Sequence, residues 1–430
     1  MKRRVISGPV TTPVQADATG AIDGIEASAA EFRQKLSLWY RKHARVLPWR
    51  GVNNPYATWL SEIMLQQTRV ATVIDRYREF LEKFPTLNDL ANAQESEVLA
   101  LWSGLGYYRR ARMLHRGAQF VVRELEGKLP RTATELKTLP GVGAYTAAAI
   151  ASIAFGESIA VVDGNVERVL LRIMGLAEER SSKGRAHVAQ AAQALVPAVA
   201  KRHGRGNPPG DHNQAMMELG ATICLPKSPL CLQCPVFDLC RTRGEHATAP
   251  REKQKSSIVA HLLAVRKSGT TTEVLLERRS DEASLMPGML ELPPLPMTAV
   301  EGHEPVLRVR HAITNTNYYA QIFSESAVGD SAAAKLDASI AREEEPDELT
   351  DTASIQEDEV YEDALFVAKP GEAKLSDGDG RLSLLSQVPA AAHDLRWAPA
   401  VRLYELPLTG LARKVLQRLG VMRIPAVRIP

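Results

Sequence analysis

Leu139-Pro140-Gly141-Val142-Gly143-Ala144-Tyr145-Thr146 decides how this chain is read. Two glycines stand one residue apart between a predicted helix over about 133–138 and a second over about 144–154. Paired glycines let the backbone turn tightly and approach another surface closely. The N–H groups that open the second helix then point outward and form an anion site. An ordinary turn between two helices needs only one such glycine, so the complete string argues for a recognition element.

That arrangement is the helix–hairpin–helix pattern, a clamp for DNA phosphate that reads no bases. Ser103-Gly104-Leu105-Gly106-Tyr107-Tyr108-Arg109-Arg110 is a weaker second copy. Its two tyrosines and two arginines suit base stacking and phosphate contact. Around both hairpins, from about 28 to 245, apolar residues recur at spacings of three and four: Phe32, Leu36, Trp39 and Tyr40, then Leu60, Ile63 and Met64, then Val98, Leu101 and Trp102. Turns such as Asn54-Pro55 and Phe84-Pro85-Thr86 punctuate the helices, and Thr86-Leu87-Asn88-Asp89 reads as a capped start. The region is all-α.

After a polar stretch at 246–257 the period changes to two. Ile258–Val265 and Thr272–Arg278 form a hairpin about Lys267-Ser268-Gly269-Thr270. Further strands are expected near 306–311, 317–324 and 364–368, and helices near 331–341 and 408–419. The domains expected are a disordered tail at 1–26, a helical domain at 27–245, a linker at 246–257 and an α+β domain at 258–422. The last carries an acidic insertion at about 343–363.

All four cysteines of the 430-residue chain are Cys224, Cys231, Cys234 and Cys240. Concentrating every thiol in one short stretch points to a metal site. Four thiolates suit a tetrahedral zinc or a cubane iron–sulfur cluster, and the spacing and ligand softness favour the cluster. Two disulfides or four buried thiols are the other readings, and disulfides need an oxidising compartment.

The net charge of +3 conceals an asymmetry. Residues 343–363 hold eleven acids and no Lys or Arg, so the rest of the chain is eleven charges more positive than the whole. A basic body suits a polyanionic partner. No apolar run is long enough to span a bilayer, and no apolar core follows Met1-Lys2-Arg3-Arg4, so neither membrane nor export is expected. A cytoplasmic, nucleoid-associated monomer is expected.

Two carboxylates stand out. Asp163 lies in Val161-Val162-Asp163-Gly164-Asn165-Val166-Glu167-Arg168-Val169, where an N-cap is the simplest role. Glu62 lies in Trp59-Leu60-Ser61-Glu62-Ile63-Met64-Leu65-Gln66-Gln67-Thr68, on a solvent stripe or in a pocket that raises its pKa. Gln66-Gln67 and Tyr107 read as a wedge for a base stack, or as a polar helix end and a core tyrosine. Arg41, Lys42, Arg45, Arg50 and Arg112 are ordinary surface charges unless they share a face.

Together, Pro48-Trp49-Arg50, SEIMLQQT, GLGYY, LPGVGxYTA, VVDGNVERV, Asn213-Gln214-Ala215-Met216-Met217-Glu218-Leu219-Gly220 and the four cysteines resemble the endonuclease III superfamily of DNA glycosylases and, within it, the MutY family of adenine glycosylases. The resemblance spans about 30–240. It implies a [4Fe–4S] cluster on Cys224, Cys231, Cys234 and Cys240. It implies double-stranded DNA with adenine mispaired with 8-oxoguanine or guanine as partner. Tyr145 stands where the lyases of the superfamily carry the lysine that attacks the sugar, so a monofunctional glycosylase is implied. The adenine would be flipped out of the stack. Glu62 would protonate it, Asp163 would stabilise the sugar cation, and Tyr145 and Asn165 would support that carboxylate and the sugar. Gln67 and Tyr107 would fill the stack, Gln214 would lie near the adenine pocket, and Gly141, Gly143 and Arg50 would serve DNA binding.

The second domain resembles the family's C-terminal Nudix-like domain, which reads 8-oxoguanine. Leu285–Pro293 is similar to its turn, with Leu290 in place of Trp, and no box of catalytic glutamates is present. His311-Ala312-Ile313-Thr314-Asn315 departs from the family's Phe-Ser-His. Thr314 and Asn315 keep polar groups there, while Ile313 loses the ring. Discrimination between 8-oxoguanine and guanine is then expected to weaken, or to be met by Asn317, Tyr318 and Tyr319.

Overall fold

The computed structural model describes residues 18–52, 54–179, 181–198, 207–246, 254–326, 384–389 and 394–422. The acidic run at 343–363, the helix expected near 331–341 and the strand expected near 364–368 lie outside the described residues, as do residues 1–17 and 247–253. Contacts divide the chain into two units. One joins the residues up to Ala93 with Arg112–Arg251; the other joins Gln94–Ala111 with the residues from Glu252 onward. Residues 94–111, read from sequence as part of the helical domain, therefore group with the sheet.

The helical unit opens with α1 (Ala18–His43). Of the tail expected at 1–26, residues 18–26 are helix instead: Ala21, Ile22 and Ile25 are buried and continue the stripe of Ala29, Phe32, Leu36 and Trp39. Burial of each large side chain of that stripe is worth about 1.5–3 kcal/mol, which favours helix over coil at this end. The stripe packs against α9 (Gly164–Met174), α10 (Ser182–Leu195) and α11 (Pro208–Thr222).

Helix α2 (Pro55–Leu65) starts with Asn54, whose side chain accepts from the Tyr56 and Ala57 N–H groups, and with proline in the first turn. Every residue from Tyr56 to Met64 is buried. A helix enclosed on all sides has no solvent stripe, and this determines the fate of Glu62. Then come α3 (Val70–Lys83) and α4 (Leu87–Asn92), the latter started by a Thr86–Asp89 capping box. Helix α5 (Glu95–Leu101) belongs to the second unit, and α6 (Arg109–Glu124) runs back into the first. The hairpin lies between α7 (Ala133–Leu136) and α8 (Ala144–Phe155). Small residues let α2, α6 and α8 pack closely; a Cβ on Gly117 would come within 2.7 Å of the Trp59 ring.

The second unit is built on a sheet ordered β3-β2-β1-β6-β5, with β4 also on β1 and β7 also on β2. The strands are β1 (Lys255–Ser268), β2 (Thr271–Arg278), β3 (Leu290–Glu291), β4 (Pro294–Leu295), β5 (Leu307–Ile313), β6 (Thr316–Ser326) and β7 (Leu395–Pro399). β1 and β6 run parallel, while β1–β2 and β5–β6 are antiparallel hairpins. The linker expected to reach 257 ends sooner, because Lys255, Ser256 and Ser257 pair with Thr316, Asn317 and Tyr318. Along β1, Val259, Leu263 and Val265 face one apolar cluster and Ala260, Leu262 and Ala264 the other. Both faces are covered, so a strand of period two reads as a nearly continuous apolar run. Helix α12 (Gly410–Arg418), capped by Thr409, packs on the first cluster. Among the described residues no helix is long and apolar enough to cross a membrane.

Candidate active site

The strand-like segment after α8 delivers Asp163 to the start of α9. Asn213 holds that segment: its amide donates to Ile159 O (2.8 Å) and Ser152 Oγ (2.9 Å) and accepts from Val161 N–H (3.2 Å). Asp163 is the N-cap expected on simple grounds, with Oδ1 accepting from Val166 N–H at 2.7 Å. Its other oxygen, Oδ2, accepts from Asn165 Nδ2 at 3.1 Å. The helix start also supplies positive partial charge to a carboxylate.

Glu62 approaches from α2 and is 6% exposed. Burial raises its pKa to about 7; the Tyr145 hydroxyl opposes that rise and the Asp163 charge adds to it. The Tyr145 hydroxyl donates to Glu62 Oε2 at 3.0 Å and also lies 3.5 Å from Met217 Sδ. Tyr145 lies in the first turn of α8, which directs its hydroxyl at the buried glutamate, while the Asp163 charge also reaches it. The site therefore holds a carboxyl that keeps its proton near neutrality, close enough to a capped carboxylate to sense its charge. Two carboxyl groups so differentiated can divide acid and nucleophile or stabiliser roles.

The hairpin's two glycines differ. Gly141 has φ +76°, and a Cβ there would come within 2.4 Å of Met113 Cβ, so glycine is required twice over. Gly143 has φ −85°, caps α8, and a Cβ there would meet nothing. Gln67 is exposed with φ +53°, and Tyr107, in the other unit, is exposed with φ +46°. Gln214 is half-buried on α11. Thr314 and Asn315 are the exposed turn between β5 and β6; Thr314 has φ +54° and its hydroxyl donates to Ile313 O. Asn317, expected as an alternative reader, is turned inward: it donates to Gln254 Oε1 and accepts from Arg310. Tyr319 is exposed.

Arg50 is paired within the protein. Its guanidinium donates to the buried Glu218 carboxylate at 2.7 Å and to Arg45 O at 2.9 Å. Burial opposes ionisation of Glu218, but hydrogen bonds from Arg45 and Arg50 overcome it and hold the pKa at about 2.

The four cysteines follow α11 in a loop of two short 3-10 turns. Two of the four meet one residue: Cys240 Sγ lies 3.4 Å from the Arg172 carbonyl oxygen, and Cys224 Sγ lies beside its guanidinium. Arg172 Nη1 lies 3.4 Å from Cys224 Sγ and donates to Leu225 O, while Arg243 N–H donates to Cys240 Sγ. These donors suit anionic sulfur. Among the described residues no three His, Cys, Asp or Glu are placed to share a single ion.

Sequence reading assigned no role to Arg168, Arg172 or Met217. Arg168 donates to Asn165 Oδ1 (2.9 Å), Gly220 O (2.8 Å) and Cys224 O (2.9 Å). Its position three residues after Asn165, on one helix face, was a legible signal. Met217 carries no such signal, because its place beside Tyr145 depends on how α11 crosses α8.

Residues 60–198 match the family model described as HhH-GPD superfamily base excision DNA repair protein. Mouse (Mus musculus) adenine DNA glycosylase is 49% identical over 239 residues, covering 52% of this chain and 45% of that protein. The human (Homo sapiens) adenine DNA glycosylase is 51% identical over 230 residues, covering 50% of this chain and 40% of that protein. The aligned region thus spans less than half the length of these relatives. A solved thermostable thymine-DNA glycosylase is 30% identical, with a TM-score of 0.46, covering 53% of this chain and 99% of that one.

Proposed function

We propose, from the match of residues 60–198 to the HhH-GPD superfamily model of base excision DNA repair proteins, that this chain is a monofunctional adenine DNA glycosylase. It hydrolyses the N-glycosidic bond of adenine opposite 8-oxoguanine or guanine in duplex DNA. The observation that carries this reading is the buried Glu62 with its pKa at about 7, hydrogen-bonded by Tyr145, a residue that is no amine nucleophile.

The duplex is gripped at the hairpin. Gly143 has open space where a side chain would stand, so its backbone and the α8 N–H groups can approach phosphate. The adenine is flipped out, with Gln67 and Tyr107 filling the stack. Tyr145 occupies Glu62 Oε2, so the transferable proton sits on Oε1. That proton passes to adenine N7, and the C1′–N bond breaks with its electrons going to the base. The sugar becomes cation-like and is stabilised by the Asp163 carboxylate, which Asn165 and the α9 N-terminus hold in place. Water adds at C1′, its proton passing to the Glu62 carboxylate, and leaves an abasic site with the strand intact. No lysine at 145 is available for a Schiff base.

Cys224, Cys231, Cys234 and Cys240 would hold a [4Fe–4S] cluster, with Arg172 and the Arg243 N–H directed at the sulfurs. The cluster's part is structural, fixing the loop from Cys224 to Cys231 near phosphate. The sheet-bearing unit is read as the Nudix-like domain that inspects the base opposite adenine, through Thr314 and Asn315 at the tip of the β5–β6 hairpin.

The test is direct: chromatography for free adenine after incubation of a mispaired duplex with wild-type protein and with Glu62→Gln. Adenine released by the wild type alone is the expected result. Equal release by both, or none by cluster-loaded wild type, overturns the reading.

A further inference from the structure

The loop from Trp102 to Arg110 has three residues with positive φ: Gly104 (+95°), Gly106 (+68°) and Tyr107 (+46°). Tyr107 lacks glycine's freedom, so this conformation persists only because its surroundings impose it. Within the loop, Trp102 Nε1 donates to Gly106 O at 3.1 Å, and the Arg110 guanidinium donates to Leu105 O and Gly106 O. The same guanidinium lies over the rings of Trp102 and Tyr107. The Tyr107 side chain is 43% exposed.

The back of the loop is buried. Tyr108 is 3% exposed and its hydroxyl donates to Leu408 O at 2.8 Å. The Ser103 hydroxyl donates to the same carbonyl at 3.0 Å and accepts from Arg413 Nε, on α12, at 2.6 Å. Two donors fill both lone pairs of one carbonyl, and the serine is satisfied as donor and acceptor. Leu408 itself is fixed to the sheet. Leu290 N–H donates to Pro407 O, Thr409 N–H donates to Leu290 O, and the Thr409 hydroxyl donates to the Glu291 carboxylate. A continuous set of hydrogen bonds thus runs from β3 through the Pro407–Thr409 segment to the residues flanking Tyr107.

We infer that Ser103, Tyr108 and Arg413 are positioning residues that clamp the Tyr107 loop to β3 and α12, so that the sheet-bearing unit sets how Tyr107 enters a base stack. This rests on the reading above in which Tyr107 stacks in the duplex. Ser103 and Tyr108 face the protein interior and act on DNA only through their neighbour.

The experiment is a double-mutant cycle in the full chain. Ser103→Ala and Tyr108→Phe, singly and together, are made in the wild-type and Tyr107→Ala backgrounds. The substrate is a duplex with a 2′-fluoro deoxyadenosine analogue opposite 8-oxoguanine and 2-aminopurine beside the pair. Affinity and 2-aminopurine fluorescence are both read. The paired substitution is expected to weaken binding about tenfold, as removal of buried hydrogen bonds does, and to reduce the fluorescence gain on binding. Both effects should disappear in the Tyr107→Ala background. Full persistence in that background, or no effect in the wild-type background, overturns the inference. Tyr108→Phe alone carries the cycle if the paired variant does not fold. Both readouts stand whether or not adenine is excised, so loss of the proposed activity and loss of the clamp are told apart.

Discussion

Glu62 shows how a residue's chemistry depends on what surrounds its helix. Its neighbours in sequence are apolar on both sides, yet α2 alone leaves open whether the glutamate faces water. Packing closes α2 on every side and raises the pKa from 4.5 to about 7. The sign of the stability effect follows: the folded state holds the proton more tightly than the unfolded chain. Stability relative to Glu62→Gln is therefore unchanged below pH 4.5 and falls as pH rises to about 7, by at most about 3 kcal/mol. Thermal midpoints of the two proteins across that range check it; parallel curves would contradict it. On the proposed function the same ionisation removes the acid, so single-turnover excision should decline above pH about 7. Glu62→Gln should lose about 10²–10⁴-fold in rate. Asp163→Asn separates the proposed catalytic role of Asp163 from its capping role, because asparagine caps a helix as well as aspartate does. Its thermal midpoint should stay near wild type while the rate collapses.

Among the elements, the hairpin was the most legible. The sequence supplied both glycines and both flanking helices; only the structure distinguishes them. Gly141→Ala meets a positive φ and the Met113 side chain, and should destabilise the fold by more than about 1 kcal/mol. Gly143→Ala has room and should fold normally, but weaken duplex binding by crowding a phosphate. Melting curves and binding isotherms for the two variants should move in opposite measurements. The Arg45–Glu218–Arg50 group was not legible. Arg45 and Arg50 read as ordinary surface charges, Arg50 with a DNA role only by resemblance, and nothing local in sequence joins positions 45 and 50 to a glutamate at 218. Glu218 ionises with a pKa of about 2 against 4.5, so it stabilises above pH 4.5, and that contribution is lost as pH falls towards 2. Glu218→Gln should cost at most about 3 kcal/mol at pH 7 and little at pH 2, by breaking a charge cluster in which Glu218 is buried and Arg45 is partly open to solvent.

At the scale of the molecule, the change from a three-to-four period to a period of two marked two regions, and the strands at 258–265, 272–278, 306–311 and 317–324 lie close to β1, β2, β5 and β6. The grouping of residues 94–111 with the sheet was not readable, because it rests on hydrogen bonds from Ser103 and Tyr108 to Leu408, some 300 positions away in sequence. The cysteine loop is read on donor type and spacing; purified protein should contain iron and acid-labile sulfide in equal amounts, and Cys234→Ser should lose both. At the β5–β6 tip, Thr314 and Asn315 offer polar groups but no ring, and Asn317 is turned inward. Discrimination between 8-oxoguanine and guanine should therefore be shallow, as single-turnover rates on the two duplexes will show. The most direct test of the whole account is strand cleavage of a duplex with adenine opposite 8-oxoguanine, with and without hot alkali, beside a control with adenine opposite thymine. Cleavage of the adenine strand only after alkali, and only in the mispaired duplex, is the predicted result. Cleavage without alkali, or an intact strand after alkali, would contradict it.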